Sequence, residues 1–564
     1  MRHSLKPKWI VIAALILAFA GDGLTQQAGQ SGGTGGGMGQ GQSQSRDQAP
    51  NKGPTQPAIR VTSKMVELSV IVHDKDGNPV AGLKKEDFKL YDQGQLQKIA
   101  SFSEQSNILR TQIAAADDPP NTQHSFSNHY TEDASFSGSV TVILLDKLNT
   151  WAWDMNRTLH PGFMMNDMPI TMTEVKKFLK QVQPQDRVAL FGLSDKLYSL
   201  RDFTNDPDLL LTAVGAEPEN GASAAGGWMD ALGPNQQVLD PDYRIGKTVA
   251  AFRDLSKKLS GIPGRKNLVW VTAGLENRAA GGQAGNRSFM PQIATAIRAL
   301  ADANIAVYPV DARGLVGPNL ANIRGGSLAP RRAEFDTMLD FAEGTGGRAL
   351  YNTNDISGSI RRSIDDARVS YLLGYYPSND KWDGDFRELK VKVDRSGMDV
   401  RARKGYYAIP DSTATTEQAS AQLDEAIRSS LDSSELKLEV NVEPVNVSDP
   451  RQLKVQTKLD PAQLRMEEHS GIWTDKLDVA WAEYDSEGRS LGTVTQSISV
   501  KLSPERRKTI AREGIIFSET VDVRDGAVEA RMAVRDGGSG AIGSVNIPLT
   551  RLFANAATPQ SQKK

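Results

Sequence analysis

Between residues 139 and 368, short apolar runs alternate with amphipathic stretches, and this alternation restricts the fold more than any other feature of the chain. Val140–Leu145, Arg187–Leu193, Asn267–Thr272 and Ile305–Val310 are near-continuous runs of aliphatic and aromatic residues, the pattern of strands covered on both faces. Between and after them, Met172–Val182, Ile245–Leu259, Pro291–Ala303, Phe335–Glu343 and Ile356–Ala367 carry helical spacing, with Ile293, Ile297 and Leu300 on one stripe. Such alternation predicts a mostly parallel, doubly wound α/β sheet with helices on both faces. Leu197–Phe203 follows the second run closely enough to return beside it as an antiparallel strand.

The flanks read differently, and the 564 residues suggest about three or four domains. Residues 59–104 alternate apolar and polar positions around two turns, which predicts a small antiparallel β unit. Residues 369–407 hold three more strand-like runs. Neither piece has enough strands to bury a core alone, so the two are expected to form one sandwich with the α/β domain inserted between them. Residues 105–138 are polar and irregular and are expected to be an exposed loop. Residues 411–432 read as a helix-compatible linker. Residues 435–553 carry about seven strand-like runs at regular spacing, predicting an immunoglobulin-like sandwich, with a helical connection at Pro504–Glu513. The polar tail 555–564 is expected to be disordered.

The first twenty residues fit an export signal. Arg2, Lys6 and Lys8 precede the apolar run Trp9–Ala20, which ends in a small-x-small pattern at Ala18 and Ala20. The run is shorter than the roughly 18 residues of a spanning helix, although an uncleaved anchor is the alternative. Residues 21–58 are rich in Gly and Gln and predict a flexible tether. The expected location is periplasmic or extracellular.

Composition removes several classes of function. A formal net charge of −2 without long basic runs argues against nucleic-acid binding by bulk charge. The absence of cysteine excludes disulfides, thiolate metal sites and cysteine nucleophiles. The six histidines are scattered, and neither HExxH, GxSxG nor a phosphate-binding GxxxxGK motif occurs. No enzyme is expected.

Four motifs occur in order: VHDKDGNPVAGLKKEDF at 72–88, ILLD at 143–146, VYPVDARGL at 307–315 and YLLGYYP at 371–377. With the strand–helix pattern they resemble the von Willebrand factor A superfamily, and within it the acidobacterial-type VWFA-related exported proteins, over about residues 60–407. The resemblance implies a von Willebrand A-like central domain and a metal site at the carboxyl ends of its strands. The family's D-x-S-x-S places Asp146 first, but its serine positions fall on Leu148 and Thr150. Its T-D-G turn corresponds to VTAGLEN at 271–277, where Ala273 replaces the aspartate. The loop threonine has no clear counterpart, Ser223 being the nearest hydroxyl, while Glu276 is near enough in sequence to reach from the turn.

The expectation is therefore a degenerate site, in which Asp146, Asn149 and Thr150 hold magnesium or calcium weakly or not at all. The plain alternative is that Asp146 caps the segment after its strand. Asp311, at another strand end, is expected to pair with Arg313. Trp151, Trp153, Met155 and Trp228 lie in the segments after Asp146 and in the Gly-rich stretch 215–237, and are expected to contact a protein partner. The expected function is protein binding or adhesion without catalysis. The alternatives are a divalent-cation-dependent binder and a structural spacer in the cell envelope.

Overall fold

The computed structural model describes residues 65–106, 124–128, 139–150, 167–215, 240–279, 287–314, 329–408, 414–429, 431–446 and 449–556. The strands, in chain order, begin with β1 (Val66–His73), β2 (Phe88–Asp92), β3 (Gln95–Gln97), β4 (Ile99–Ser106) and β5 (Ser125–Ser127). The central part holds β6 (Val140–Asp146), β7 (Val188–Leu193), β8 (Leu197–Thr204), β9 (Lys266–Thr272), the short pair β10 (Arg278–Ala279) and β11 (Arg287–Ser288), and β12 (Ile305–Asp311). Then come β13 (Val369–Tyr375), β14 (Phe386–Val393), β15 (Asp399–Arg401) and β16 (Gly405–Tyr407). The last group is β17 (Leu438–Asn446), β18 (Asp449–Leu459), β19 (Glu467–His469), β20 (Ile472–Tyr484), β21 (Ser490–Leu502), β22 (Ile515–Asp522), β23 (Glu529–Asp536) and β24 (Ile542–Pro548). The α-helices are α1 (Asp167–Leu179), α2 (Pro207–Gly215), α3 (Pro241–Leu259), α4 (Met290–Asp302), α5 (Ala329–Thr345), α6 (Ile356–Asp366), α7 (Thr416–Arg428), α8 (Pro504–Glu513) and α9 (Leu549–Ala556).

The central sheet has the order β12-β9-β6-β7-β8. The first four are parallel, and β8 runs antiparallel to β7. The alternating side chains of β6 explain why its run is apolar throughout. Val140, Val142 and Leu144 face a layer built from α3, α4 and α5, where Phe252, Trp270 and Phe341 meet edge to face. Ile143 and Leu145 face the opposite layer, with Val175 and Phe178 of α1, Leu210 of α2 and Ile360 of α6. This is a doubly wound α/β domain. Its strand order reverses at β6, so a crevice is expected beyond the carboxyl ends of β6 and β9.

β1–β4 and β13–β16 build two four-stranded sheets, ordered β15-β1-β13-β4 and β16-β14-β2-β3. Each sheet mixes strands from before and after the α/β domain, and they share one core around Leu68, Phe88, Tyr371 and Tyr375. Two further sheets face each other at the carboxyl end of the chain. One carries β17, β18 and β22, and the other runs β21-β20-β23-β24. That is the strand arrangement of an immunoglobulin-like sandwich.

The structure corrects three local expectations. Residues 105–138 are not all loop, because β5 pairs with β17 as an extra edge strand. The buried Asn128 amide fixes it, donating to the carbonyls of Ser433 (2.6 Å) and Leu436 (2.7 Å) and accepting from the Leu438 N–H (2.7 Å). The segment around 416–428 is not merely a linker either. Leu423, Ala426 and Ile427 of α7 are buried against Ala480, Ala533 and Ile542 of the sandwich, and Glu425 pairs with Arg253 of α3 at 2.9 Å. Finally, α9 extends through Ala556, past the start of the expected tail, with Leu552 buried in the sandwich core.

Candidate functional site

β6 delivers Asp146 to the point where the strand order reverses. Its carboxylate is only 1% exposed, yet no cation pairs with it among the described residues. Four neutral donors hold it instead. The Asn149 backbone N–H donates to Oδ1 (2.9 Å), while the Asn149 side-chain amide (2.7 Å), the Trp270 indole N–H (2.9 Å) and the Thr272 hydroxyl (2.7 Å) all donate to Oδ2. The bond to the N–H three residues on is the geometry of a helix N-cap, and residues 147–150 are helical. Burial pushes the carboxyl up from its ordinary range, against the pull of those four hydrogen bonds. Asn149 also donates to Thr248 of α3 (3.1 Å), tying the strand end to the helix that covers it.

The structure thus brings Asp146, Asn149 and Thr150 together at one buried place. Two oxygens there, Asn149 Oδ1 and Thr150 Oγ1, are buried and have no hydrogen-bond partner among the described residues. They are the atoms through which a divalent ion would have to be held. The rest of the shell does not fit one. Such ions take six or more oxygens, whereas Asp146 Oδ2 already accepts three donors. Leu148 lies in the apolar core, and Ala273 is buried with no ligating atom in its side chain. Glu276 does not join this group: it pairs with Arg244 of α3 at 3.3 Å. No cluster of three or more His, Asp or Glu with metal-ligand geometry occurs among the described residues.

A second carboxylate, Asp311, ends β12 at the edge of the same sheet. Arg313 folds back on it, Nε to Oδ1 at 2.7 Å and Nη2 to Oδ2 at 3.1 Å, and also meets Glu334 of α5. The guanidinium lies 4.8 Å from the centre of the Phe335 ring. One cation here serves two buried carboxylates. Desolvation pushes Glu334 up to about 7, and the nearby Glu276 and Asp311 carboxylates add to the rise while Arg313 opposes it.

Trp270, Thr272 and Thr248 were not singled out in the sequence. Trp270 and Thr272 are two residues apart at the end of β9, so both project on the face that Asp146 shares. The signal was the register of β9 beside β6, Leu145 opposite Val271, which the local pattern of residues 271–277 does not carry. Trp151, Trp153, Met155, Trp228 and Ser223 lie outside the described residues. The ends of their segments are described. Thr150 follows Asp146, Thr171 of α1 donates to the Ala312 carbonyl just beyond β12 (3.4 Å), and Asp240 caps α3 through the Asp242 N–H (3.0 Å). α1 and α3 therefore both begin at the carboxyl-end side of the sheet.

No known protein family matches the sequence, and no curated protein does. Among solved structures, the PilB minor pilin from Streptococcus sanguinis is 12% identical over 40% of this chain and 61% of its own, with a TM-score of 0.24. The pilus adhesin SpaC from Lactobacillus rhamnosus GG is 10% identical over 81% of this chain and 57% of its own, with a TM-score of 0.25. A von Willebrand factor type A protein from Catenulispora acidiphila is 11% identical over 59% of this chain and 81% of its own, with a TM-score of 0.21. The chain thus spans about three fifths of the pilin and of the adhesin. At such scores the fold assignment rests on the strand order and the helix layers alone.

Proposed function

We propose that the chain is an exported, non-catalytic protein-binding module with a von Willebrand A-like central domain, and that it holds its partner at the carboxyl ends of the central strands. The observation that carries this reading is that the buried carboxylates at that face are already held. Asp146 is sealed by four neutral donors, and Asp311 and Glu334 are held by Arg313. The described residues there offer neither an accessible nucleophile with a base nor a shell for a divalent ion. Residues 151–166 lie between β6 and α1, and residues 216–239 lead into α3; both sequences are rich in Trp, Met and Gly, which suit adaptable contact surfaces. Trp151, Trp153, Met155 and Trp228 are the proposed contact residues. Export is supported by the positive, apolar and small-residue order of the first twenty residues, and among the described residues no helix is long and apolar enough to cross a membrane.

The test is a pull-down from envelope extracts with the full chain as bait, repeated with the double variant Trp151→Ser, Trp153→Ser. A partner captured by the parent and lost by the variant at unchanged melting temperature supports the reading. Undiminished capture sinks it. Melting with and without millimolar magnesium or calcium separates the cation-dependent alternative, because a ligand of the folded state alone raises stability. No shift is expected.

A further inference from the structure

The carboxyl-terminal sandwich holds a cavity of about 630 Å³ between the turn after β18, the start of β20, the end of β21 and helix α8. Its apolar lining includes Leu464, Met466 and Trp473. Its charged lining is Arg465, Arg507 and Lys508, with no carboxylate among the lining residues. The Arg507 guanidinium stacks on the Trp473 ring, 3.6 Å from its centre. A guanidinium stacked on an aromatic face keeps the N–H groups at the edge of its plane for other partners. Arg507 and Lys508 are exposed, and neither forms an ion pair with a carboxylate among the described residues. α8 as a whole carries Arg506, Arg507, Lys508 and Arg512 against Glu505 and Glu513, so the helix bordering the cavity is net positive.

We infer that this cavity is a docking site for an acidic peptide segment in which a large apolar side chain is flanked by carboxylates. The volume is in the range that takes a ligand of several residues' bulk. An inorganic anion would answer the cations and leave Leu464 and Met466 wet. A purely apolar ligand would cover those side chains and leave Arg507 and Lys508 facing nothing. A segment that sets one aromatic or aliphatic side chain against Leu464 and Met466, beside the Arg507–Trp473 stack, and a carboxylate against the Arg507 fork satisfies both, and planar bidentate pairing is what a guanidinium offers. The site lies on a different domain from the proposed partner-binding face and does not depend on it.

The experiment uses the full chain and fluorescein-labelled peptides in which glutamates flank a phenylalanine. Controls replace the glutamates by lysines or the phenylalanine by serine. Saturable binding of the acidic aromatic peptide, weakened about tenfold or more by Arg507→Gln with Lys508→Gln and by either control, is expected. Both substitutions sit on an exposed helix face, so circular dichroism and melting should match the parent. Trp473→Leu, which keeps the lining apolar, should weaken binding by removing the stack that positions Arg507. The Trp151→Ser, Trp153→Ser variant should bind the peptide normally. Equal binding of acidic and basic peptides, or no effect of the Arg507 and Lys508 substitutions, overturns the inference. So does binding of N-acetylphenylalanine as tight as that of the peptide, which would make this a small-molecule site instead.

Discussion

Two strands of the central sheet end alike in sequence and differently in physics. β6 runs VTVILLD and β12 runs IAVYPVD, and both final aspartates are buried. Two residues further on, β6 is followed by Leu148, which goes into the core, and β12 by Arg313, which turns back onto its aspartate. Asp146 is therefore stabilised by hydrogen bonds from groups without charge, and Asp311 by an ion pair that it shares with Glu334. An apolar run closed by an aspartate says where a carboxylate will sit. The residue two places later, and the strand that happens to lie alongside, decide whether it is held by dipoles or by a cation.

The contrast can be broken by experiment. Removing the cation should cost most, because it strands two buried carboxylates. Arg313→Met is expected to lower the stability of the α/β domain by ~3–5 kcal/mol, read by scanning calorimetry on the full chain. Asp146→Ala leaves donors without acceptors but strands no charge, so a loss of ~1–3 kcal/mol is expected. If Asp146→Ala proved as damaging as Arg313→Met, the two strand ends would not differ in kind. The third test uses pH. Glu334 sits at about 7 in the folded chain against an ordinary 4.5, so the folded state holds its proton where the unfolded chain has lost it. That contribution is present below pH 4.5 and fades as pH climbs through 7. Glu334→Gln should accordingly flatten the decline of melting temperature over this window, by the equivalent of ~3 kcal/mol at most. A parallel slope in parent and variant would remove Glu334 from the account. The smallest change expected is for Thr272→Val, which takes one of three donors from Asp146 Oδ2 and should cost ~0.5–1.5 kcal/mol in the same calorimetric assay.

The fold class was legible because both layers of the α/β domain leave a mark on each strand: Val142 and Leu144 serve one layer, and Ile143 and Leu145 the other. The Asp311–Arg313 pair was legible because its partners are two residues apart. The donors to Asp146 were not, since Trp270 and Thr272 stand more than 120 residues away and reach it only through sheet register. β5 escaped notice for another reason. Three residues, Ser125 to Ser127, are too few to show a period, and what holds them is the Asn128 amide bonding to backbone far along the chain. Sequence pattern records how a residue meets its neighbours in the chain, and only weakly how it meets residues brought in by topology.

The mixed sheets of the first sandwich have a kinetic corollary. Val66 pairs with Tyr375 and Val70 with Tyr371, so β1 has no native neighbour on that side until some three hundred further residues have been made. A chain that emerges amino end first must carry β1 to β4 as an open half-sandwich while the whole α/β insert folds. During that interval the exposed backbone edge is a template for pairing with another nascent copy. Rapid folding of the insert would shorten the wait, since it draws residues 139 and 368 together and delivers β13 to the place β1 has kept for it: the Ser139 hydroxyl donates to the Ala367 carbonyl at 3.1 Å.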